Sequence, residues 1–270
     1  MTSRGEHTVN GDRWAVVTGA SSGIGFAMAR RLAMRGYGIF AVSKDAERLE
    51  ESAGRIADEC GVRVIAHAMD LARPDAAEAL FGEYLKAGIR AEVLVNDAGV
   101  FIYNDIMDTV QERIDDILSL HMRTVTALCR LFAQDMAAAG GGYILNMASY
   151  SMWMPFPGIA LYSATKAYVK TFSVAFAAEA RESNVWVTAV SPAGVATDFY
   201  GLSRRLQKVG LALGVLITPD RVARIALRAL FHHRRHVVPG WYNRLFIPFC
   251  KYMPAPCVRF IRRKTACFRH

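Results

Sequence analysis

Short apolar runs alternate with helical patterns along most of the chain. The apolar runs cover residues 14–19, 37–43, 62–70, 91–99, 141–149 and 185–192. Between them, helical patterns cover residues 23–36, 45–60, 73–88, 110–139 and 161–183. Near-continuous hydrophobicity is typical of parallel strands covered on both faces. Repeated βα units of this length therefore predict one doubly wound α/β domain, with three layers in the order helices, sheet, helices.

Several residues mark where the predicted helices begin and end. Asp45 suits the start of the helix at 45–60, and Gly36 suits the end of the helix before it. Pro74 is placed near the first turn of the next helix. Thr218 is a candidate N-cap for a late helix over 218–233, with Pro219 in its first turn.

The alternation of strands and helices stops after residue 198. A long, partly apolar segment leads to the helix at 218–233 and to a last strand-like "HVVPG" at 236–240. No linker divides the chain before this point. We therefore predict a flexible, polar N-terminal tail over 1–12, one domain over 13–240, and an aromatic and basic C-terminal extension over 241–270.

Charge and composition exclude several classes of protein. The formal net charge is +9, but no nucleic-acid motif with interleaved aromatic residues is present, so we expect no nucleic-acid partner. The chain starts without an apolar signal-peptide region, and its longest apolar run, at 209–217, is far shorter than a bilayer requires. We predict a cytoplasmic, soluble protein.

The spacing of the cysteines and histidines predicts no metal site. The five cysteines include no CxxC pair, which favours free thiols. The "HHRRH" at 232–236 lies between a helical pattern and a strand-like run, and we interpret it as a solvated turn.

Three glycines lie between the first strand and the first helix. Gly19, Gly23 and Gly25 are part of "TGASSGIG". Glycines allow the backbone to turn tightly and to approach a pyrophosphate, and the helix N-terminus supplies free N–H groups and a favourable dipole. A strand–turn–helix with this spacing predicts a dinucleotide site.

The end of the second strand bears on which dinucleotide binds. An acidic residue there would accept hydrogen bonds from the ribose of NAD, but this chain has Ser43 and Lys44, which can hold a 2′-phosphate. We therefore predict NADP, with NAD as the alternative because Asp45 follows directly. At the end of the third strand, Asp70 could accept from the adenine amino group or cap a turn before Leu71.

Tyr162 and Lys166 lie four residues apart on a predicted helix and therefore share one face. A lysine ammonium beside a phenol favours the phenolate form, so the tyrosine could exchange a proton with a carbonyl oxygen as hydride reaches the carbon. Ser149 ends the preceding strand, and its hydroxyl could hold the same oxygen. Together with a nucleotide loop, these residues predict carbonyl and alcohol chemistry.

These motifs resemble those of the short-chain dehydrogenase/reductase family, in its compact single-domain branch. The matching elements are "TGASSGIG", Asp70 in "MDL", "NDAG" at 96–99, Ser149, "YSATK" at 162–166 and "SPAGVATDF" at 191–199. The resemblance covers about 13–240. It implies a Rossmann-type sheet, a nicotinamide cofactor, and Ser149, Tyr162 and Lys166 as the catalytic set, with Lys166 also binding the nicotinamide ribose.

The resemblance also assigns cofactor contacts along the chain. Around the glycine loop and the strand ends they are Gly19, Ser21, Ser22, Gly23, Ile24, Gly25, Ser43, Lys44, Asp70, Leu71, Asn96, Ala98 and Gly99. Near the nicotinamide they are Tyr162, Lys166, Pro192, Gly194, Val195 and Thr197.

Three positions depart from the family pattern. Asp97 replaces the second Asn of "NNAG", and Ala193 separates a Pro-Gly pair that is usually continuous. His121 stands where the family has a helix Asn that helps to hold a water linked to the active-site Lys. Two readings of His121 are open. Its ring could join the proton relay as a catalytic residue, or it could be a neutral, hydrogen-bonded interior group.

We expect the segments 151–161 and 199–217 to flank the cleft, since the resemblance places them there. The first is rich in Met, Trp and Phe, which suits an apolar ligand but equally suits packing against the second segment. A lipophilic steroid-like, acyl-chain or aromatic carbonyl is the predicted substrate. The alternative function is an NADP-binding regulatory or scaffold protein with weak catalysis.

Assembly and the C-terminal extension are further expectations. The resemblance suggests a homodimer or homotetramer formed by the helices around 110–139 and 161–183. The extension at 241–270 mixes aromatic and basic residues, so it could pack on a subunit or make peripheral contact with a membrane.

Overall fold

The computed structural model describes residues 13–154, 156–197, 199, 203–212, 215–240, 247–254 and 256–257. The predicted N-terminal tail at 1–12 and most of the predicted extension at 241–270 lie outside these residues. The domain boundaries drawn from the sequence therefore stay predictions.

Seven parallel strands form one sheet. They are β1 (Trp14–Thr18), β2 (Gly38–Ser43), β3 (Val64–Ala68), β4 (Ala91–Asn96), β5 (Gly142–Met147), β6 (Val185–Val190) and β7 (His236–Val237). Their order in the sheet is β3-β2-β1-β4-β5-β6-β7. The direction of winding reverses between β1 and β4, and ligands of such sheets bind at the carboxyl ends of the strands at this reversal. The predicted doubly wound, Rossmann-like architecture is confirmed.

Eight α-helices of eight or more residues accompany the strands in the described part of the chain. They are α1 (Gly23–Ala33), α2 (Ala46–Cys60), α3 (Ala76–Lys86), α4 (Gln111–Leu118), α5 (Val125–Ala138), α6 (Ala160–Glu179), α7 (Arg204–Ala212) and α8 (Pro219–Phe231). One buried apolar cluster joins α1, α2 and α8 to one face of the sheet, and a second joins α3, α5 and α6 to the other. The strands are buried on both faces because helices cover both, which explains their near-continuous hydrophobicity.

Two predicted helix caps are present in the structure. The Asp45 carboxylate accepts a hydrogen bond from the Arg48 backbone N–H at 3.1 Å. Thr218 accepts one from the Arg221 N–H at 3.2 Å, and Pro219 is the first residue of α8. Pro74 was predicted near the first turn of the next helix, but it lies just before that helix. The helix, α3, begins two residues later at Ala76, and Asp75 is its N-cap.

The region at 110–139 is helical as predicted, but it is not one regular α-helix. Between α4 and α5 the chain forms a π-helical segment, Ser119–Thr124, which carries His121. A π-helical turn accommodates an extra residue within a helix and is common at functional sites. The apolar periodicity of the sequence did not reveal this interruption, since the pattern continues on either side of it.

The "HHRRH" segment forms the predicted turn. It follows α8, and His233 adopts a left-handed backbone conformation with φ of 57°. Among the described residues, no helix combines the length and the hydrophobicity needed to cross a membrane.

Candidate active site

The glycine loop between β1 and α1 needs its glycines for steric reasons. Gly19 has φ of +71°, and a Cβ atom there would lie 3.0 Å from the Ala98 backbone nitrogen. A Cβ on Gly25 would lie 2.2 Å from the Gly19 carbonyl oxygen, closer than atoms can approach. The loop is therefore folded tightly against the end of β4, and the backbone at the start of α1 is left accessible.

The N-terminus of α1 offers backbone donors to an anion. The N-cap Ser22 makes no hydrogen bond to the helix through its side chain. Free N–H groups and the helix dipole favour a bound phosphate at such a position. Together with the glycines, this cradle fits the pyrophosphate of a nicotinamide dinucleotide.

Asp97, directly after β4, lies against this loop. Its carboxylate lies beside Gly25, because a Cβ on Gly25 would be 2.8 Å from Asp97 Oδ2. Burial raises the pKa of Asp97 to about 7, against the opposing effects of the Lys166 ammonium and the Gly25 N–H. Asp97 is thus a carboxyl group that can change its charge near neutral pH beside the N-terminus of α1.

At the far end of the cleft, the side chains predicted to bind the adenosine moiety contact one another. The Lys44 ammonium donates to the Asp70 carboxylate at 2.5 Å, and the hydroxyls of Ser21 and Ser43 lie 2.8 Å apart. Asp70 also accepts from the Ala72 N–H at 3.0 Å, so it caps the predicted turn. The hydrogen bond from Lys44 holds the pKa of Asp70 below its usual value.

Arg48 lines the same end of the cleft and was missed by the sequence analysis. It lies in the first turn of α2, four residues after Lys44, and its side chain is 62% exposed. Among the described residues, its guanidinium pairs with the Asp45 carboxylate alone, at 3.9 Å. Its place in the first turn of the helix that directly follows Ser43 and Lys44 was the signal that could have identified it.

Tyr162, Lys166 and Ser149 line one wall of the cleft. Tyr162 and Lys166 lie one turn apart on α6, and Ser149 follows β5. The Lys166 ammonium lies 5.8 Å from the centre of the Tyr162 ring and donates to the Met147 carbonyl oxygen at 3.0 Å. Only 3–5% of each of these three residues is exposed. The predicted catalytic residues therefore share one largely dry site.

Burial lowers the pKa of Lys166 to about 8, although the nearby Asp97 carboxylate raises it in part. Lys166 therefore remains mostly protonated at neutral pH and loses its charge more readily than an exposed lysine does.

His121 uses both ring nitrogens in hydrogen bonds within the protein. Its Nε2 accepts from the Val100 backbone N–H at 3.1 Å, which places the proton on Nδ1. Nδ1 then donates to the Thr165 hydroxyl at 3.0 Å, and that hydroxyl donates to the Tyr162 carbonyl oxygen at 2.9 Å. Burial and the Lys166 charge hold the pKa of His121 well below its usual value. This geometry favours the neutral interior reading of His121 over the proton relay.

The predicted contacts divide into those that line the cleft and those that support it. A cleft of about 910 Å³ is lined by Gly19, Ser21, Ser22, Gly23, Ile24, Ser43, Lys44, Asp70, Leu71, Ala98, Gly99, Ser149, Tyr162, Lys166, Pro192, Val195 and Thr197. Four others lie behind this lining: Gly25, Asn96, His121 and Gly194. Asn96 donates to Asn146 at 2.8 Å between β4 and β5, and Gly194 packs against Leu216.

The apolar wall differs from the expectation. The described residues that line the cleft include none from 151–154 or 156–161. Trp153 instead packs against Tyr150 and His236, at ring distances of 5.3 and 6.1 Å. Trp153 thus packs within the protein, but on Tyr150 and His236 rather than on the second segment that the packing alternative named.

Phe101 and Phe199 form the aromatic surface around Tyr162. Their ring centres lie 5.1 and 6.2 Å from that of Tyr162 and 6.0 Å from each other. Phe199 lines the cleft and belongs to the second segment that was expected to flank it. Phe101 was missed, because nothing in its local sequence distinguishes it from a core residue.

Several known proteins are similar to this chain. The family model for short chain dehydrogenase matches residues 13–207. Very-long-chain 3-oxoacyl-CoA reductase-B of Danio rerio is 30% identical over 246 residues, which are 87% of this chain and 76% of that protein. The 17-beta-hydroxysteroid dehydrogenase type 3 of Danio rerio is 32% identical over 196 residues, or 70% of this chain and 62% of that protein.

A solved structure is also similar over nearly the whole chain. A short-chain dehydrogenase from Sphingobium yanoikuyae in complex with NADPH has 28% sequence identity and a TM-score of 0.76, with 95% of each chain covered. The chain belongs to the short-chain dehydrogenase family, and it is an oxidoreductase that binds a nicotinamide cofactor.

Proposed function

We propose that the protein is an NADPH-dependent reductase of lipophilic ketones, with Tyr162 as the general acid. The observation that carries this proposal is the single cleft that joins the glycine loop to the buried Ser149, Tyr162 and Lys166. A binding protein without chemistry would not need a buried lysine ammonium beside a buried tyrosine.

Each of the three side chains has a different role at the carbonyl group. A nicotinamide held in this cleft would supply the hydride to the carbonyl carbon. Tyr162 donates its phenolic proton to the carbonyl oxygen, and the Ser149 hydroxyl donates a hydrogen bond to the same oxygen. Lys166, fixed by the Met147 carbonyl, stabilises the phenolate that Tyr162 leaves. The reverse reaction uses Tyr162 as the base.

NADPH is the proposed cofactor because the adenosine end of the cleft is basic. Lys44 and Arg48 line it, and Ser43 adds a hydroxyl. Lys44 is bound to Asp70, so a 2′-phosphate has to share or replace that ion pair. Arg48 has a 3.9 Å contact with Asp45 and a 62% exposed side chain, so its planar guanidinium is available for a bidentate phosphate contact.

We propose 3-oxoacyl thioesters as the first substrates to test, and steroid ketones as the second. Relatives named as 3-oxoacyl-CoA reductases and as a hydroxysteroid dehydrogenase support these classes. The aromatic surface of Phe101, Phe199 and Tyr162 suits an apolar group beside the reacting carbonyl. Because the chain spans between 62% and 76% of these relatives' lengths, their substrates are proposals here.

The alternative, a regulatory NADP-binding protein, depended on His121 and Asp97. Both side chains lie behind or beside the catalytic set, and neither occupies the position of Ser149, Tyr162 or Lys166. The enzyme is therefore the stronger proposal.

The assembly and the location of the protein are further proposals. We propose a homodimer or homotetramer through α5 and α6, since Tyr168, Phe172 and Phe176 form a stacked row that is only partly buried. A cytoplasmic location, with packing or membrane contact of the C-terminal extension, also stays a proposal.

One experiment separates the enzyme from the alternative. NADPH and NADH are titrated by fluorescence, and a panel of 3-oxoacyl thioesters, steroid ketones and aromatic ketones is then screened for oxidation of NADPH. Tyr162→Phe removes the acidic proton and should reduce turnover about 10²–10⁴-fold with little change in NADPH affinity. If turnover is unchanged in this variant, the mechanism is wrong, and if no carbonyl is reduced, the regulatory alternative gains support.

A further inference from the structure

Asp97 places a carboxylate where the cofactor phosphates are expected to bind. We propose that Asp97 is a further residue of the cofactor site that couples dinucleotide binding to the uptake of one proton. The carboxylate takes the proton from solvent when the pyrophosphate binds at the start of α1, and it releases the proton when the dinucleotide leaves. This inference rests on the proposed function, because it requires that the cleft binds NAD(P)H.

The first step of the argument is the position of the carboxylate. Gly25 is the third residue of α1, so its N–H has no partner within the helix. This N–H favours the ionised form of the Asp97 carboxylate, and a Cβ on Gly25 would lie 2.8 Å from Asp97 Oδ2. The Asp97 carboxylate therefore lies against the N-terminus of α1, where the N-cap Ser22 makes no side-chain hydrogen bond to the helix.

The second step is the position of Asp97 in the protein. It lines the cleft together with Gly19 and Gly23, so solvent protons and the cofactor reach it from the same side. Its backbone N–H donates to the Thr18 hydroxyl at 3.0 Å, which fixes the residue under the glycine loop. A carboxylate and a pyrophosphate would thus share the same helix N-terminus, and two anions so close together repel each other.

The third step is the set of charges around Asp97. The Lys166 ammonium of α6 is the charged side chain that acts on it, and it favours the ionised carboxylate. His121, from the π-helical segment, is close to Lys166 but is neutral. From α1, the Gly25 N–H contributes a dipole and no charge. Burial outweighs these effects and gives the pKa of about 7, so Asp97 is half ionised near neutral pH.

The direction of the effect follows from these charges. A bound pyrophosphate disfavours the ionised carboxylate, so the bound state holds the proton to a higher pH than the free state does. Dinucleotide affinity should therefore fall as pH rises above about 7. Each pKa unit by which the cofactor raises Asp97 corresponds to up to a tenfold loss of affinity at high pH.

The test measures binding and proton uptake without turnover. NADH and NADPH are titrated by fluorescence between pH 6 and pH 8, with wild type and Asp97→Asn. NADH is the cleaner probe, because it lacks the 2′-phosphate that itself titrates near pH 6. Calorimetry of NADPH binding at pH 7.5, in two buffers with different ionisation enthalpies, counts the protons taken up.

Asparagine retains an oxygen acceptor for the Gly25 N–H but cannot titrate, so Asp97→Asn should still bind. We expect wild-type affinity for NADH to fall about fivefold or more from pH 6 to pH 8, with uptake of about half a proton or more per NADPH. In Asp97→Asn, both effects should shrink to the part that Lys166, with its pKa lowered to about 8, contributes. Asp70→Asn is the matched control, because Asp70 is ionised throughout this range. It should change affinity without changing the slope with pH.

The outcomes distinguish the inference from the function on which it rests. Equal pH slopes in wild type and Asp97→Asn, or proton release on binding, overturn the inference and leave the reductase proposal intact. Failure of wild type to bind either nucleotide refutes the proposed function, and the inference with it.

Discussion

His121 gives the sharpest prediction about how the catalytic helix is held. Its ring joins the Val100 backbone N–H to Thr165, which lies between Tyr162 and Lys166 on α6. Replacing it with Leu removes both hydrogen bonds and leaves the Val100 N–H without its acceptor. His121→Gln keeps an oxygen that can reach the Val100 N–H and is the matched control.

The cost of His121→Leu follows from these contacts. Two hydrogen bonds contribute a net of about 1 kcal/mol each, and an unsatisfied buried N–H costs about 1–3 kcal/mol. Because these terms overlap, we expect a loss of about 2–4 kcal/mol in the free energy of unfolding, and less for His121→Gln. Denaturant unfolding at pH 7.5 measures both.

The pH dependence separates a positioning role from a proton relay. The pKa of His121 is held well below 6.5, so the ring binds a proton on unfolding and stabilises the fold less as pH falls below about 6.5. The loss of stability in His121→Leu should therefore shrink in acid. In the pH–rate profile of His121→Gln, kcat should be lower but the limbs should stay at the wild-type pH values. A limb displaced by about one pH unit, or full stability in His121→Leu, would refute this reasoning.

Other substitutions test the cofactor cleft and the fold. Gly25→Ala puts a methyl group 2.2 Å from the Gly19 carbonyl oxygen, so NADPH binding measured by fluorescence should be lost or weakened at least a hundredfold, whereas Gly54→Ala, at a position with open space, should bind normally. Arg48→Ala and Lys44→Ala should each weaken NADPH at least tenfold and change NADH little; an equal loss for both nucleotides would place the 2′-phosphate elsewhere. Thr218→Ala should destabilise the protein by about 1 kcal/mol in denaturant unfolding, since it removes the side-chain cap of α8.

The sequence was most informative where local patterns determine structure. Strand hydrophobicity predicted the sheet. The helix caps at Asp45 and Thr218 could be predicted because each side chain bonds a backbone N–H in the first turn of its own helix. The glycine loop was equally clear, since its steric requirement is local. Spacing also placed Tyr162 and Lys166 on one face of α6.

Features that depend on contacts between distant segments could not be predicted from local sequence patterns. The π-helical segment at Ser119–Thr124 interrupts a helix without any change in apolar pattern. The pairing of Lys44 with Asp70 joins the ends of two strands, and the packing of Trp153 on His236 depends on where β7 lies. Each is set by the tertiary fold, so composition and spacing alone did not predict it.

Transfer of deuterium from cofactor to product tests the central claim most directly. NADPH deuterated at C4 of the nicotinamide is incubated with a 3-oxoacyl thioester or a ketone from the screen, and the alcohol is analysed by mass spectrometry and NMR. We predict that wild type places one deuterium on the new carbinol carbon from one face of the nicotinamide, and that Tyr162→Phe binds NADPH but transfers it at least a hundredfold more slowly. An alcohol formed without deuterium from either face, or equal rates in the two proteins, would contradict the account.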